Sequence, residues 1–285
     1  MLNNEIVKGH ISSERRCDSA EILLARQWGS GGLRPSTPLA AFFRQPHVGS
    51  DVMIARIQDV NVKEAEHALY ERGVATIANV VDPATCEELI ARYDDTKSFR
   101  KRVNMEQHNF GVGDYAYFAE PLPRLVAGLR TQAYRQLVPV ANRMMRDMGL
   151  DLHYPATLKQ FRAYCREHGQ THPTPLLLHY QAGGMNRLHR DVYGPTLFPL
   201  QMMIMLNQKG RDYEGGEFVL VENRPRQQSQ ATVLTPAQGD LVIFPVSERP
   251  ISGRRGMLRA SVRHGVSRIH SGERWALGII FHDAR

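Results

Sequence analysis

Two short stretches hold the residues whose types and spacing could do chemistry. "RLHRDVYG", residues 187–194, places His189 and Asp191 one residue apart, and the C-terminal "SVRHGVSRIHSGERWALGIIFHDAR" holds His264, His270, Arg274 and His282. A bare His-x-Asp match arises readily by chance, so its meaning depends on what accompanies it. A kinase catalytic loop would need an Asn five residues after the Asp, a following Asp-Phe-Gly and a preceding Gly-rich loop; residue 196 is Thr, and the other two motifs are missing. A non-haem Fe(II) site needs two neutral imidazoles and one carboxylate on one face of the ion, with the remaining positions open to O2 and substrate. Residues i and i+2 of a strand point the same way, so His189 and Asp191 could grip one ion.

The third ligand must then come from a distant strand. His270 sits beside the turn-like "HSGE" and is expected to be exposed, while His282 lies almost at the chain end with no later strand to complete a site. His264 lies inside an apolar strand-like run and fits best. Ten residues further on stands Arg274. A site that uses 2-oxoglutarate needs a fixed cation for the far carboxylate, and a guanidinium offers a rigid two-pronged donor.

These groups have to be positioned by a fold. The chain has 285 residues, 42% hydrophobic and 23% charged, which suits a soluble globular unit with a sizeable core. The net charge of +7 fits a polyanionic partner such as nucleic acid, or an acidic small substrate. Three widely spaced cysteines, Cys17, Cys86 and Cys165, argue against a disulfide framework or a thiolate zinc site and for a reducing, cytoplasmic setting. The N-terminus has no apolar h-region, and "FPLQMMIML" is too short to span a bilayer, so no membrane association is expected.

Residues 1–50 are rich in Gly, Pro and Ser and read as a poorly ordered extension, with "AEILLA" as one short helix. Order begins near Asp51. "VKEAEHALYERG" predicts a helix and "VATIANVV" a strand. Asp82 and Pro83 cap a second helix whose face carries Cys86, Leu89, Ile90 and Tyr93, making Cys86 a core residue rather than a nucleophile. A long helical pattern from Leu122 to Gly149 should be kinked or split at Pro139, and a shorter helix ends at Gly169. Residues 51–170 therefore read as a mainly helical support. Residues 171–285 read as strand after strand, separated by Gly, Pro, Asn and Asp turns, which predicts a β-sandwich or barrel core. The two parts are expected to form one folded unit of the α+β class, with N-terminal helices packed on the C-terminal β-structure.

His189-x-Asp191, His264 and Arg274 on a run of short strands resemble the Fe(II)/2-oxoglutarate-dependent dioxygenases. Tyr180 in "HYQAGG" matches a Tyr-x-x-Gly that often precedes the metal motif. "LNQKGRDYEGGEF" is similar to a hairpin of the prolyl-hydroxylase-like branch, and "TPAQGDLVIFP" to the Gly-Asp turn before a core strand. "FPLQMMIMLNQKGRDYEGGEFVLVENRPRQQSQ" and "RHGVSRIHSGERWALGIIFHDAR" closely resemble a bacterial family of such oxygenases described as acting on damaged, alkylated nucleic acid. The resemblance implies a double-stranded β-helix (jelly roll) and Fe(II) held by His189, Asp191 and His264. It also implies O2 and 2-oxoglutarate as co-substrates, the far carboxylate of the latter held by Arg274 with Tyr180. The implied reaction hydroxylates a C–H bond while 2-oxoglutarate is decarboxylated to succinate and CO2. At an N-methyl group this becomes demethylation with loss of formaldehyde.

Candidate substrate groups are more scattered. "RVNMEQHNFGVGDYAYF" offers Arg102, His108, Tyr115 and Tyr117; "NRPRQQSQ" offers Arg224 and Arg226; "RPISGRRGMLR" offers Arg249, Arg254, Arg255 and Arg259. Basic loops with nearby aromatics can track the phosphate backbone of damaged DNA or RNA and stack a flipped base. The rival for these arginines is a solvated surface with structural ion pairs. Asn207 reads either as a pocket donor or as a strand-end residue satisfying a turn, and Glu217 as structural. Two other functions stand beside nucleic-acid oxidation: hydroxylation of a protein side chain such as proline, or of a small molecule, and a non-catalytic jelly-roll binding module. No feature of the sequence sets an oligomeric state.

Overall fold

The computed structural model describes residues 61–285. The extension expected over residues 1–50, its short helix, Cys17 and the onset of order near Asp51 lie outside the described residues. Helix α1 spans Val62–Arg72, with the Asn61 side chain accepting from the Glu64 N–H and Gly73 closing it in the left-handed conformation (φ 74°). Helix α2 spans Pro83–Ala91, capped by Asp82 with Pro83 in its first turn; Cys86 and Leu89 face the core as expected. Helix α3 runs from Arg124 to Asp147 and α4 from Leu158 to Glu167. Pro139 does not split α3. It lies on the exposed face together with Arg135, whose carbonyl loses its helical donor there and can be served by water.

The strands are β1 (Ala75–Ile77), β2 (Phe99–Asn104), β3 (Gly111–Val112), β4 (Asp114–Phe118), β5 (Leu176–Gln181), β6 (Met185–His189) and β7 (Leu200–Met205). They continue with β8 (Tyr213–Gly215), β9 (Phe218–Asn223), β10 (Gln230–Leu234), β11 (Leu241–Pro245), β12 (Glu248–Gly253), β13 (Gly256–Val266) and β14 (Ile269–Ile280). One sheet has the order β1-β11-β7-β14-β5-β4-β2, and the facing sheet β10-β9-β13-β6-β3. Eight strands form the frame: β5, β14, β7 and β11 in the first sheet, β6, β13, β9 and β10 in the second, all neighbours antiparallel. That is a jelly roll, with helices on one face.

The segment before residue 171 differs from the mainly helical expectation. It supplies four strands: β4 extends the first sheet beside β5, β3 pairs with β6, and β1 closes the edge at β11. The strand expected over residues 74–81 stops at Ile77, because Asn79 turns left-handed (φ 54°) and the Val80 and Val81 N–H groups go to the Gly239 carbonyl.

Two-residue alternation sorts the side chains. Leu200, Met202 and Ile204 of β7 and Trp275, Leu277 and Ile279 of β14 pack outward with α3 residues such as Leu129 and Ala133. Met203, Met205 and Ala276 point inward, against Phe218, Leu220 and Val262 of the second sheet. The interior between the sheets is where the functional side chains meet. No helix among the described residues is long and apolar enough to cross a membrane.

Candidate metal centre and cavity

His189 ends β6, and its register partner on β13 is His264. Antiparallel pairing thus brings two histidines 75 positions apart in sequence side by side, their ring centroids 4.3 Å apart. Asp191 does not sit on a strand. The chain has left β6 by then, and a tight turn around Asp191, closed by the Val192 N–H on the Arg190 carbonyl at 3.1 Å, leaves the carboxylate facing both imidazoles. Its Oδ2 is 3.2 Å from His264 Nε2 and its Oδ1 3.6 Å from His189 Nε2. The three candidate ligand atoms all lie within 4.8 Å of one another.

The protonation pattern fits a metal. His189 Nδ1 lies 2.7 Å from the Arg187 carbonyl, which fixes its proton there and leaves the Nε2 lone pair free. Burial and the neighbouring His189 pull His264 below its ordinary pKa, favouring the neutral ring. Burial alone would raise Asp191; His264, His189 and the Tyr193 phenol outweigh it and hold the carboxyl well below the usual carboxylate range. A carboxylate and two imidazoles converging on one point are a suitable donor set for a divalent transition metal.

A cavity of about 350 Å³ opens from this cluster into the jelly roll. Arg274 lies within it on β14, 1% exposed, paired in register with Tyr180 of β5. Its Nε donates to the Gly216 carbonyl at 2.9 Å, and its guanidinium lies 5.7 Å from the Tyr180 ring centroid. Gly216 adopts the left-handed conformation (φ 64°), and a Cβ there would collide with Ile269 Cδ1 and come within 2.9 Å of Arg274 Cδ, so only glycine lets the hairpin pass this close to both side chains. Among the described residues no carboxylate stands within ion-pair distance of Arg274. Tyr180 is fully buried, its hydroxyl accepting from Asn186 Nδ2 at 3.2 Å, and burial pushes its pKa up to about 12.

The other candidates separate into two groups. Tyr115 lines the cavity. Tyr117 stands one contact behind it, its hydroxyl 3.2 Å from that of Tyr193. The remaining residues do not reach the cavity. Asn207 is structural: its amide donates to the Glu273 carbonyl and accepts from the Trp275 N–H, tying β7 to β14. His108 is exposed and stacks on Phe110. Arg102 is held on the Tyr93 carbonyl and ring, Arg224 and the buried Arg249 pair with Glu222, and Arg259 pairs with Glu248. Arg226, Arg254 and Arg255 are exposed on loops away from the cavity. Glu217 is bound to Lys209 and Ser267, a structural role.

Several site residues escape a reading by motif. Tyr193 donates to Asp191 Oδ1 at 2.7 Å. His282, which looked idle near the chain end, is fully buried with its Nε2 3.0 Å from the Asp191 carbonyl and its Nδ1 3.4 Å from the Phe198 N–H. Burial pulls its pKa down to about 4, so the ring is neutral near pH 7, donating to Asp191 and accepting from Phe198. Phe110 and Val192, about half exposed at 48% and 52%, form part of the cavity lining. The only signal for Tyr193 was its nearness to the His-x-Asp motif; His282 and Phe110 had none.

The chain is 43% identical over 167 residues to uncharacterized proteins from two strains of Mycobacterium tuberculosis, an alignment covering 59% of this chain and 72% of each relative. Its structure is similar to a Pseudomonas putida prolyl-4-hydroxylase (TM-score 0.46, 15% identity, 79% of this chain and 99% of that one). It is also similar to an oxidoreductase of the 2OG-Fe(II) oxygenase family from Burkholderia pseudomallei (TM-score 0.44, 14% identity, 79% and 93% coverage). Residues 113–284 match the model of a family described as oxygenases catalysing oxidative methylation of damaged DNA, a span that holds the His-Asp-His cluster, Arg274 and the cavity, and the chain belongs to that oxygenase family.

Proposed function

We propose that this oxygenase uses Fe(II) and 2-oxoglutarate to hydroxylate a C–H bond on alkylated nucleic acid, so that an N-methyl group leaves as formaldehyde. The observation that carries the reading is one cavity holding both the His189–Asp191–His264 cluster and a buried arginine with no carboxylate partner among the described residues. A cation kept dry without a counter-charge is costly, and a bound dicarboxylate removes that cost.

His189 Nε2, His264 Nε2 and an Asp191 oxygen would hold the metal, and Arg274 would hold the far carboxylate of 2-oxoglutarate. Iron bound there supplies O2 activation coupled to decarboxylation, with one oxygen atom leaving in succinate and the other in the hydroxylated product. The chain's own work is positional. Tyr193 and His282 fix Asp191, Tyr180 backs Arg274, and Phe218 and Phe244 keep the interior apolar, which favours reaction over leakage. Hydroxylating an N-methyl group yields an unstable hydroxymethyl adduct, so the chemistry removes the methyl.

The cavity mouth supports a nucleic-acid substrate. Exposed Phe110 and Val192 line it beside exposed Arg190, with exposed Arg187 on the adjoining strand. An apolar edge beside cations suits an extruded base with its phosphates outside. The test is aerobic incubation with Fe(II) and 2-oxoglutarate on N-methylated single-stranded DNA, its unmethylated control and a proline-containing peptide, following succinate and formaldehyde. Formaldehyde from the methylated strand alone is expected. Succinate coupled to the peptide without formaldehyde would replace this reading with protein hydroxylation.

A further inference from the structure

The interior row of β7 reads Gln201, Met203, Met205. Gln201 is 2% exposed, sits between apolar neighbours, and its Nε2 has no hydrogen-bond partner among the described residues. A buried amide donor left unpaired is destabilising, and such groups in folded proteins call for an explanation. Gln201 lines the same cavity as the metal cluster and Arg274.

Its place along the cavity separates it from the co-substrate. Gln201 pairs in register with Ile280 of β14, six residues beyond Arg274. At about 3.4 Å per strand residue the two backbone positions are about 20 Å apart. A five-carbon diacid anchored on Arg274 does not span that length. Gln201 also pairs with Phe244 of β11, whose ring lies 4.9 Å from that of His264, so the amide belongs to the metal-proximal end.

We propose that Gln201 is a specificity-determining residue whose carboxamide donates a hydrogen bond to the molecule being oxidised. The ligand class is a planar, largely apolar group carrying an acceptor, a ring carbonyl or ring nitrogen, seated among Tyr115, Phe218 and Phe244. This rests on the oxygenase reading above; with a nucleic-acid substrate the acceptor is on the edge of the flipped base. A substrate lacking the acceptor leaves the amide unpaired and is rejected, which is how a polar group in an apolar pocket discriminates.

The experiment compares wild type with Gln201→Met, a near-isostere without the amide, on the full chain in two arms. The first needs no substrate: thermal unfolding of the free protein. Removing an unpaired donor should leave Tm unchanged or raise it by about 2–4 °C, whereas a fall of that size would show that the amide has a structural partner and overturn the proposal. The second measures anaerobic binding of Fe(II) with 2-oxoglutarate, then kcat/KM on whichever probe of the panel above wild type oxidises. Unchanged 2-oxoglutarate binding with kcat/KM lowered about tenfold or more is expected. Unchanged kcat/KM, or loss of 2-oxoglutarate binding, would overturn it. If wild type oxidises the peptide and not the methylated strand, the nucleic-acid reading fails while Gln201 is still decided by the ratio on the peptide.

Discussion

The Tyr193 hydroxyl donates to Asp191 Oδ1 at 2.7 Å, two residues along the same loop, while Asp191 Oδ2 faces His264. One carboxylate oxygen is thereby committed to a phenol, and the other is turned toward the metal position. Tyr193 is itself held by the Tyr117 hydroxyl at 3.2 Å. Tyr193→Phe should leave the fold intact and weaken divalent-metal affinity about 10–100-fold, the usual effect of removing a group that orients a ligand. A Mn(II) or Fe(II) titration of the free protein reads this directly, and unchanged affinity would show that the phenol does not position Asp191.

Arg274 offers a planar, two-pronged donor, with its Nε committed to Gly216 and the rest of the guanidinium in the cavity. Lysine keeps the charge but loses the fork and the Gly216 contact. Arg274→Lys should bind metal normally and weaken 2-oxoglutarate about tenfold or more. Calorimetric titration of the metal-loaded protein with 2-oxoglutarate checks this; equal affinity would place the co-substrate elsewhere.

These two sites differ in how far they could be read in advance. Near-continuous apolar runs mark β7 and the second half of β14 as strands buried on both faces, and a histidine in the apolar "SVRHGVSRI" has few other places to be than between the sheets. The interior placement of His264 was therefore legible, while strand patterning gave only a β-sandwich or barrel and the jelly roll came from the family resemblance. Strand periodicity does not account for Asp191, which reaches the site through the tight turn beyond β6. His282 was passed over because nearness to the terminus said nothing of burial. Asn207 and Arg102 carry polar groups that looked available, yet their partners, Glu273, Trp275 and Tyr93, are fixed by tertiary packing that no local pattern announces. The strands β2, β3 and β4 were missed because they are short and take their stability from the sheets they join.

Arg130 of α3 is 1% exposed and pairs with fully buried Asp283 at 2.8 Å, also donating to the Ile280 and Phe281 carbonyls. This knot fastens the helix layer to the end of β14, next to His282. Asp283 Oδ2 is also held by Arg162 Nε at 2.8 Å, so removing Arg130 leaves the carboxylate one cation and deprives the Ile280 and Phe281 carbonyls of their donor. Arg130→Met should lower unfolding free energy by about 1–3 kcal/mol, measured by urea denaturation; no loss would show that Arg162 alone satisfies Asp283.

Glu217 follows Gly216, whose carbonyl holds Arg274. Its hydrogen bonds to Lys209 and Ser267 draw its pKa from 4.5 down to about 2. The folded state thus keeps Glu217 ionised where the unfolded chain would take up a proton. Its stabilising contribution is complete above pH 4.5 and is lost as pH falls toward 2. Glu217→Gln should be less stable than wild type at pH 7, with the gap closing across that acid window. Thermal unfolding against pH checks the slope; a constant gap from pH 7 to 2 would contradict it.

The most direct measurement is an anaerobic titration of the protein with Fe(II) and then 2-oxoglutarate, following the visible metal-to-ligand charge-transfer band, with Asp191→Ala alongside. A band in wild type that is missing in well-folded Asp191→Ala is the predicted result. No band in folded wild-type protein, or an equal band in the variant, would contradict a metal held by His189, Asp191 and His264.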